Sequence, residues 1–310
     1  MPEGMARVME EFRTAADLAR KQSQDGILPQ EDTDKQYAKM AHLVEEILDY
    51  MYCDDHAYSF LQYKGLNTII APNMDIAYPQ LRSPLLQLLK ALFDIAPTTT
   101  MTVIPNIILE KLVDIFEQDG NLPIKSHAIE LLSVWLPGNP HAQAHVMKMK
   151  GLEPFYKQLS KLESPLTEIT LELFNKILNE HMAARNTKVQ KNKADYRIFQ
   201  LYQQIGLIER LSTPMMCKGL LNIFHEIFLF GSPNNDMLLP ILKLVQIIKP
   251  HCSKVLYGNF KVSALIDQML EHVQEPNKRL YLDEMGVNVT EVVECLTDFA
   301  DLVKLNTFNP

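Results

Sequence analysis

Two short sequence markers recur along this chain of 310 residues, and they limit what it can fold into. A Gly-Leu pair, or Asn-Ile in its place, recurs at intervals of 41, 45 and 55 residues. A proline that opens an amphipathic run of roughly four turns recurs at intervals of 39, 42 and 49 residues. The first marker begins at Gly65, Asn106, Gly151 and Gly206, and the second lies at Pro84, Pro123, Pro165 and Pro214.

Both markers have a physical role at the ends of helices. Proline destabilises a helix interior by about 3 kcal/mol but fits the first helical residue. Ser83, Ser164 and Thr213 each precede one of these prolines and are suited to cap the helix. Gly and Asn tolerate the left-handed backbone that often ends a helix. Because such periods are typical of armadillo and HEAT repeats, the sequence predicts an all-α, armadillo/HEAT-like superhelical repeat solenoid with helical caps at both ends.

The markers divide the chain into four segments. We expect a polar N-terminal helix and loop at 1–34, N-terminal cap helices at 35–64, armadillo-like repeats at 65–230, and a C-terminal helical cap or divergent repeat at 231–310. The long third helices of the repeats are predicted at 84–95, 123–136, 165–179 and 214–229. The basic stretch 181–195 is expected to form an exposed loop or an extended polar helix end.

The charge balance excludes some classes of partner. The chain carries 38 acidic and 30 basic residues, for a formal net charge of −8. This balance does not provide the surplus of positive charge that binds nucleic acid or an anionic membrane. The chain also has no run of about 18 apolar residues, the length needed to span a bilayer. We therefore expect neither nucleic acid nor membrane among the partners. The acidic surplus indicates solvated outer helix faces or, alternatively, a preference for basic partners.

Sequence motifs for catalysis are missing. The chain has no Gly-rich phosphate loop, no GxSxG and no HExxH motif, so we expect a protein that is not an enzyme and takes no cofactor. His141 and His145 are four residues apart, which on a helix suits a metal pair, but no third ligand follows. We interpret them as surface histidines and expect no metal site.

The four cysteines lie in apolar helical runs without CxxC spacing. Free Cys is among the most buried residue types, so we expect buried free thiols, while a disulfide or metal site stays open. The cysteines are Cys53, Cys217, Cys252 and Cys295.

Asn288 begins the sequon Asn-Val-Thr, which is an N-glycosylation acceptor in a secreted or lumenal protein. Asn288 with Glu291 three residues later is equally a good helix start that resembles a capping box. Both interpretations stay open at this point.

Polar residues of the predicted third helices form the candidate binding surface. In armadillo-like arrays these helices line the concave side, and residues three or four apart share one helix face. Such a row is either a solvated face or an extended, rigid surface for a partner. The candidate residues are Gln87, Lys90, Asp94, His127, Glu130, Glu168, Glu172, Asn175, Asn179, Lys218, Asn222 and Glu226.

Several segments resemble a known family. The stretches FLQYKGL at 60–66 and NPHAQ at 139–143, the latter continuing into a Gly-Leu marker, are similar to the armadillo-type nucleotide exchange factors of heat-shock-70 chaperones. The run from Tyr196 to Gly206, after an interrupted repeat, resembles most the endoplasmic-reticulum branch, whose chaperone is BiP. The cytosolic heat-shock-binding branch comes second. The resemblance covers residues 40–230 well and the tail loosely.

This resemblance implies an activity without catalysis. Such a factor grips one lobe of the chaperone's ATPase domain in its concave face and favours the open nucleotide cleft, so that ADP leaves and ATP replaces it. We therefore expect the ATPase domain of a heat-shock-70 chaperone, BiP in the first place, as the partner of a monomeric chain. The candidate residues above are expected to make much of the contact.

The expected compartment is the endoplasmic reticulum lumen, with the cytoplasm as the alternative. Lumenal members of the family start with a signal peptide and an acidic segment, whereas MPEGMARVMEEF here has no apolar h-region. The last residues are not a KDEL-type retrieval signal either. The sequence thus favours a truncated or alternative form of a lumenal protein, or else a cytosolic protein.

An armadillo scaffold that binds an extended peptide segment is the alternative function. That mode relies on one Asn per repeat on the third helix to hold the peptide backbone. Only Asn175 and Asn222 qualify at equivalent positions, while Asp94 and Glu130 occupy the others. The sequence therefore favours exchange activity over peptide binding.

Overall fold

The structure, a computed structural model, describes residues 3–24, 30–152, 155, 158, 164–186, 193–229 and 235–304. Helices account for nearly all of these residues and no strand occurs among them, which confirms the predicted all-α class. None of the helices in the described ranges is both long and apolar enough to cross a membrane. The chain divides into two compact units, Met1–Trp135 and Leu136–Pro310, so the division falls inside the predicted repeat segment.

The first unit is built from helices joined by short connections. They are α1 (Glu3–Gln24), α2 (Gln30–Tyr50), α3 (Asp54–Gln62), α4 (Pro79–Ile95), α5 (Pro97–Val103), α6 (Asn106–Gln118) and α7 (Leu122–Trp135), with a π-helical segment (Leu66–Ile70) and a helical turn (Ala71–Asn73) between α3 and α4. α1 packs on α2, α2 on α4, and α4 on α7. α2 therefore covers the first long helix of the predicted repeats, as a capping helix does, and α1 covers α2.

Aromatic and aliphatic side chains fill the core of the first unit. Phe12 on α1, Phe60 on α3 and Phe116 on α6 are fully buried. Trp135 is buried beside Phe93, with 5.7 Å between the ring centroids. Full burial of an apolar side chain such as Phe stabilises the fold by about 1.5–3 kcal/mol.

The second unit contains the following helices in the ranges that the structure describes. They are α8 (Pro140–Met149), α9 (Ser164–Asn186), α10 (Lys193–Ile205), α11 (Leu207–Leu211), α12 (Pro214–Leu229), α13 (Asn235–Leu256), α14 (Phe260–Gln274), α15 (Pro276–Glu284) and α16 (Val289–Val303). α13 packs on both α9 and α12, and α14 packs on α12 and α16. The segment predicted as a C-terminal cap therefore contacts the helices of the repeats directly.

The basic stretch 181–195 is partly an extended helix end, which is one of its two predicted forms. α9 continues beyond the predicted end at 179 to Asn186, and α10 begins at Lys193. Residues 187–192 lie outside the described residues.

A disulfide joins Cys217 on α12 to Cys252 on α13. The expectation of buried free thiols is wrong for these two residues, because the packing of α13 on α12 brings their Cα atoms to 5.5 Å. That distance is the usual one for a disulfide. Cys53 and Cys295 are free, as expected, but the expectation of burial is wrong for Cys53, which is exposed, and Cys295 is only half-buried.

The proline markers start helices at some repeats and not at others. At Pro214, the Thr213 hydroxyl accepts a hydrogen bond from the Met216 amide at 3.4 Å, which confirms the predicted cap. The prediction that a helix begins at Pro84 is wrong, since α4 begins at Pro79 and encloses Pro84 as a buried residue. Pro79 already supplies a proline at the first helical position, where its missing N–H is no loss.

The Gly-Leu markers have two different structural roles. Gly151 and Gly206 have φ of +68° and +63°, so the predicted left-handed backbone is confirmed there. Gly65 has φ of −54°, and the left-handed residue is Lys64 before it. A Cβ atom at Gly65 would lie 2.3 Å from the ring of Phe60, so this glycine is needed for close packing. Asn106 is the first residue of α6 and is not left-handed either.

Candidate functional site

The candidate residues fall into two sets, one in each unit, and each set is described by itself. The unit 1 row lies on α4 and α7, and the unit 2 row lies on α9 and α12. The unit 1 row is Gln87, Lys90, Asp94, His127 and Glu130. The unit 2 row is Glu168, Glu172, Asn175, Asn179, Lys218, Asn222 and Glu226.

The unit 1 row comes together across the packed helices α4 and α7. Lys90 donates to Glu130 Oε2 at 2.5 Å, so an ion pair links α4 to α7. One turn earlier, Ser83 Oγ lies 3.4 Å from His127 Nε2 and accepts from Gln87 at 3.5 Å. These side chains form two groups of polar contacts between α4 and α7, and together with Asp94 they make up a polar strip on the unit.

Exposure differs along this strip. Gln87, Lys90 and Asp94 on α4 are exposed, while His127 and Glu130 on α7 are half-buried. The α4 side of the row is therefore the part that a partner can reach most easily. The α7 side chains hold it in place.

The environment fixes the charges of the unit 1 row. Burial lowers the pKa of His127, and the positive charge of Lys90 adds to this against the opposing effect of Glu130. Burial acts to raise the pKa of Glu130, yet the hydrogen bond and charge of Lys90, with the hydroxyl of Ser126, hold it below its ordinary value. At neutral pH the row therefore presents a neutral histidine beside a paired lysine and glutamate.

On α9 the unit 2 row is only partly at the surface. Glu172 and Asn179 are exposed and Glu168 is half-buried. Asn175 takes a different place, since it is only 6% exposed and donates from Nδ2 to the backbone carbonyl of Pro240 at 2.8 Å. Because α13 covers this position, Asn175 is not available to a partner, and we leave it out of the candidate surface.

On α12 the unit 2 row forms one side of a pocket. Lys218 and Asn222 are exposed and line a cavity of about 400 Å³. α14 and the turn before it form the opposite side, with Asn259 and Lys261. The apolar residues of this pocket are Leu221, Leu256, Val262 and Leu265.

The chemistry of this pocket suits an acidic partner with an apolar group. Lys218 and Lys261 supply two positive charges, and His225 and Asn222 add hydrogen-bonding groups above apolar walls. Glu226 lies on the same helix, but its side chain is outside the described residues.

Sequence reasoning missed the α14 side of the pocket. Asn259 was identifiable only as a helix start, and it does cap α14 by accepting from the Lys261 amide at 3.1 Å. The repeat markers end before this point in the chain. No periodic signal connected Lys261 with Lys218, because their proximity depends on the packing of α14 on α12.

Metal chemistry has no support in the described ranges. No group of three or more His, Cys, Asp or Glu residues there could hold a metal ion. His141 is exposed and His145 half-buried on α8.

The fold defines the chain as an all-α protein. A family model described as the SIL1/FES1/HPBP1 C-terminal domain matches residues 56–304, and the chain therefore belongs to this family. Among curated proteins it is similar to the nucleotide exchange factor SIL1 of Xenopus laevis, with 26% identity over 147 residues. That match covers 46% of this chain and 30% of the Xenopus protein. The chain thus spans about a third of the length of this relative.

Proposed function

We propose that this chain is a nucleotide exchange factor that binds the ATPase domain of a heat-shock-70 chaperone and promotes ADP release by holding the nucleotide cleft open. The observation that supports it most is the family match over residues 56–304. The name of the Xenopus laevis relative, a nucleotide exchange factor, agrees with this activity.

The mechanism needs no reacting group on this chain. A protein that binds the open ATPase domain more tightly than the closed one shifts the population toward the open state, and only the difference in affinity matters. Stacked helices suit this task because packed interiors resist deformation. We expect each helical unit to keep its shape on binding, and one chain to bind one chaperone molecule.

The two candidate surfaces offer different chemical groups to the ATPase domain. In the first unit, the exposed side chains of Gln87, Lys90 and Asp94 can form hydrogen bonds with the domain. Glu130 holds Lys90 in position through an ion pair. In the second unit, Lys218 and Lys261 offer positive charge beside apolar walls. We assign an acidic segment of the ATPase domain to this second surface, since complementary charge steers association and fixes register.

We further propose that the compartment is the endoplasmic reticulum lumen and that the chaperone is BiP. The disulfide between Cys217 and Cys252 supports this, because disulfides form and persist in oxidising compartments and are rare in the cytosol. Both cysteines are completely buried, so the bond belongs to the core of the second unit. A cytoplasmic location does not explain such a bond, because thiols in the cytosol are kept reduced.

The alternative function is a scaffold that binds an extended peptide through exposed Asn side chains. One of the two Asn residues expected to hold the peptide is not available. Asn175 is buried and bonded to the carbonyl of Pro240, so it does not face a peptide. Asn222 alone remains exposed at an equivalent position.

A capture experiment tests the proposal. The chain is immobilised and offered the isolated ATPase domain of BiP or a library of short linear peptides. We expect capture of the folded domain, and capture of peptides alone would overturn the proposal.

Charge variants test the assigned surfaces in the same experiment. Lys218→Glu with Lys261→Glu should weaken capture of the domain, whereas Lys148→Glu, a charge change on an exposed residue of α8, should not. If the parent, the double variant and Lys148→Glu are all folded and capture the domain equally, the pocket is not part of the contact. That result would leave the proposed exchange function intact.

A further inference from the structure

We infer that Asn288 carries an N-linked oligosaccharide. Asn288-Val289-Thr290 is the one Asn-X-Ser/Thr sequon in the 310 residues. The inference rests on the lumenal compartment proposed above, and it assigns a modification that the exchange function does not require.

The two side chains that define the sequon are both accessible. Asn288 and Thr290 are exposed, whereas Val289 between them is buried. Asn288 lies before the first residue of α16 with an extended backbone, at φ −72° and ψ 97°. The acceptor amide therefore lies at a helix end on the protein surface, where a large glycan can be accommodated.

The chemistry of transfer is a substitution at the amide nitrogen. A bond forms between Asn288 Nδ2 and the anomeric carbon of an oligosaccharide carried on a lipid diphosphate. The bond from that carbon to the diphosphate oxygen breaks, and the diphosphate leaves with the electron pair while the amide loses one proton.

The helix cap that Asn288 forms is compatible with this substitution. Its Oδ1 accepts from the amides of Thr290 at 3.1 Å and Glu291 at 3.4 Å, and glycosylation does not touch this oxygen. Its Nδ2 donates to Glu291 Oε1 at 2.9 Å, which uses one of two hydrogens. One hydrogen can be replaced by the sugar and the other remains as a donor. Capping and glycosylation are therefore not exclusive interpretations of this residue.

The glycosylation site does not share residues with the candidate pocket. Residues that line the pocket lie on α12, α14 and the stretch 256–259, and none lies on α15, α16 or the turn between them. A glycan on the N-terminus of α16 is thus consistent with exchange activity.

Matched variants of Thr290 test the inference. The 310-residue chain is expressed in mammalian cells behind a cleavable secretory leader, so that entry into the secretory pathway is supplied and verified by leader removal. Thr290→Ala destroys the sequon and leaves the Asn288 cap intact, while Thr290→Ser keeps the sequon. We expect the parent and Thr290→Ser proteins to migrate more slowly than Thr290→Ala in gels.

Enzymatic release of N-linked glycans should abolish this difference and convert Asn288 to Asp, which mass spectrometry detects. Parent and Thr290→Ala proteins that migrate together, with an unmodified Asn288 peptide, would overturn the inference. ADP release measured on the same preparations is independent of this result, so failure of the glycan and failure of the exchange function are distinguishable.

Discussion

The side-chain amide of Asn175 on α9 donates a hydrogen bond of 2.8 Å to the backbone carbonyl of Pro240 on α13. This contact ties a helix of the predicted repeats to a helix of the predicted C-terminal cap. It also removes from the surface a residue that the sequence places in the middle of the candidate row.

Asn175→Ala should therefore lower stability without changing exchange activity. Loss of a buried hydrogen bond and of the side chain that fills the space costs about 1–2 kcal/mol. Urea unfolding measures the change. Asn179→Ala, one turn later on the same helix and exposed, is the control and should unfold at the parent's midpoint. Asn175→Ala with full stability and impaired exchange would return this residue to the contact surface.

Reduction of the disulfide between Cys217 and Cys252 should destabilise the second unit. The bond closes a loop spanning 35 positions in sequence, for which the chain-entropy model gives a stabilisation of about 3–4 kcal/mol. Urea unfolding with and without a reductant measures it. A protein with both cysteines changed to Ala should be insensitive to reductant, whereas Cys53→Ser, which removes an exposed free thiol, should respond as the parent does. No shift of the parent's midpoint on reduction would show that the thiols are not joined.

Gly65→Ala should destabilise the first unit by steric overlap. Its φ of −54° suits alanine, but the added methyl would lie 2.3–2.5 Å from ring atoms of Phe60. Overpacking of this kind costs about 1–3 kcal/mol. Gly120→Ala is the matched control, because no atom lies within 4 Å of a Cβ there.

A double-mutant cycle separates sterics from backbone effects at Gly65. If the ring is the obstacle, Gly65→Ala should be less harmful in a Phe60→Leu background than in the parent. Additive effects of the two substitutions would contradict the close-packing role of this glycine.

Stability should fall between pH 7 and pH 5 because of His181. Burial lowers the pKa of this residue to about 4, and the nearby Arg185 charge adds to the effect, while the hydrogen bond to the Tyr202 backbone opposes it. The folded pKa lies below the unfolded value of 6.5, so the unfolded chain binds the proton first as pH falls. The stabilisation is full above pH 6.5 and is lost toward pH 4. Between pH 7 and pH 5 this single group accounts for about 2 kcal/mol.

The structural basis of this pH effect is a buried polar network. His181 Nε2 lies 3.0 Å from Gln143 Oε1, and Gln143 and Tyr202 both donate to Glu180 Oε2, at 2.8 Å and 3.0 Å. His181→Gln removes the titrating group and should reduce the dependence of the urea midpoint on pH. An unchanged dependence in this variant would exclude His181 as its source.

Local sequence signals predicted some of the helix caps, although Ser83, expected to cap a helix at Pro84, lies inside α4. Thr213 caps α12, as its residue type indicated. Asn288 caps α16. These caps depend only on neighbours within three residues, which is why one sequence suffices to find them.

The sequence did not predict contacts between distant helices. The disulfide, the cover over Asn175 and the pocket between Lys218 and Lys261 all depend on where α13 and α14 pack. The repeat markers stop before these helices, so periodicity carried no information about their partners. Gly65 shows a related failure, since a residue type alone does not distinguish left-handed backbone from close packing against Phe60.

Release of a fluorescent ADP from the isolated ATPase domain of BiP tests exchange activity most directly. The labelled domain is mixed with excess ATP, with and without saturating chain. If the chain stabilises the open cleft, release should accelerate at least about tenfold, since a bias of about 1.4 kcal/mol changes the open population by that factor. An unchanged release rate in the presence of folded chain that binds the domain would contradict the exchange function.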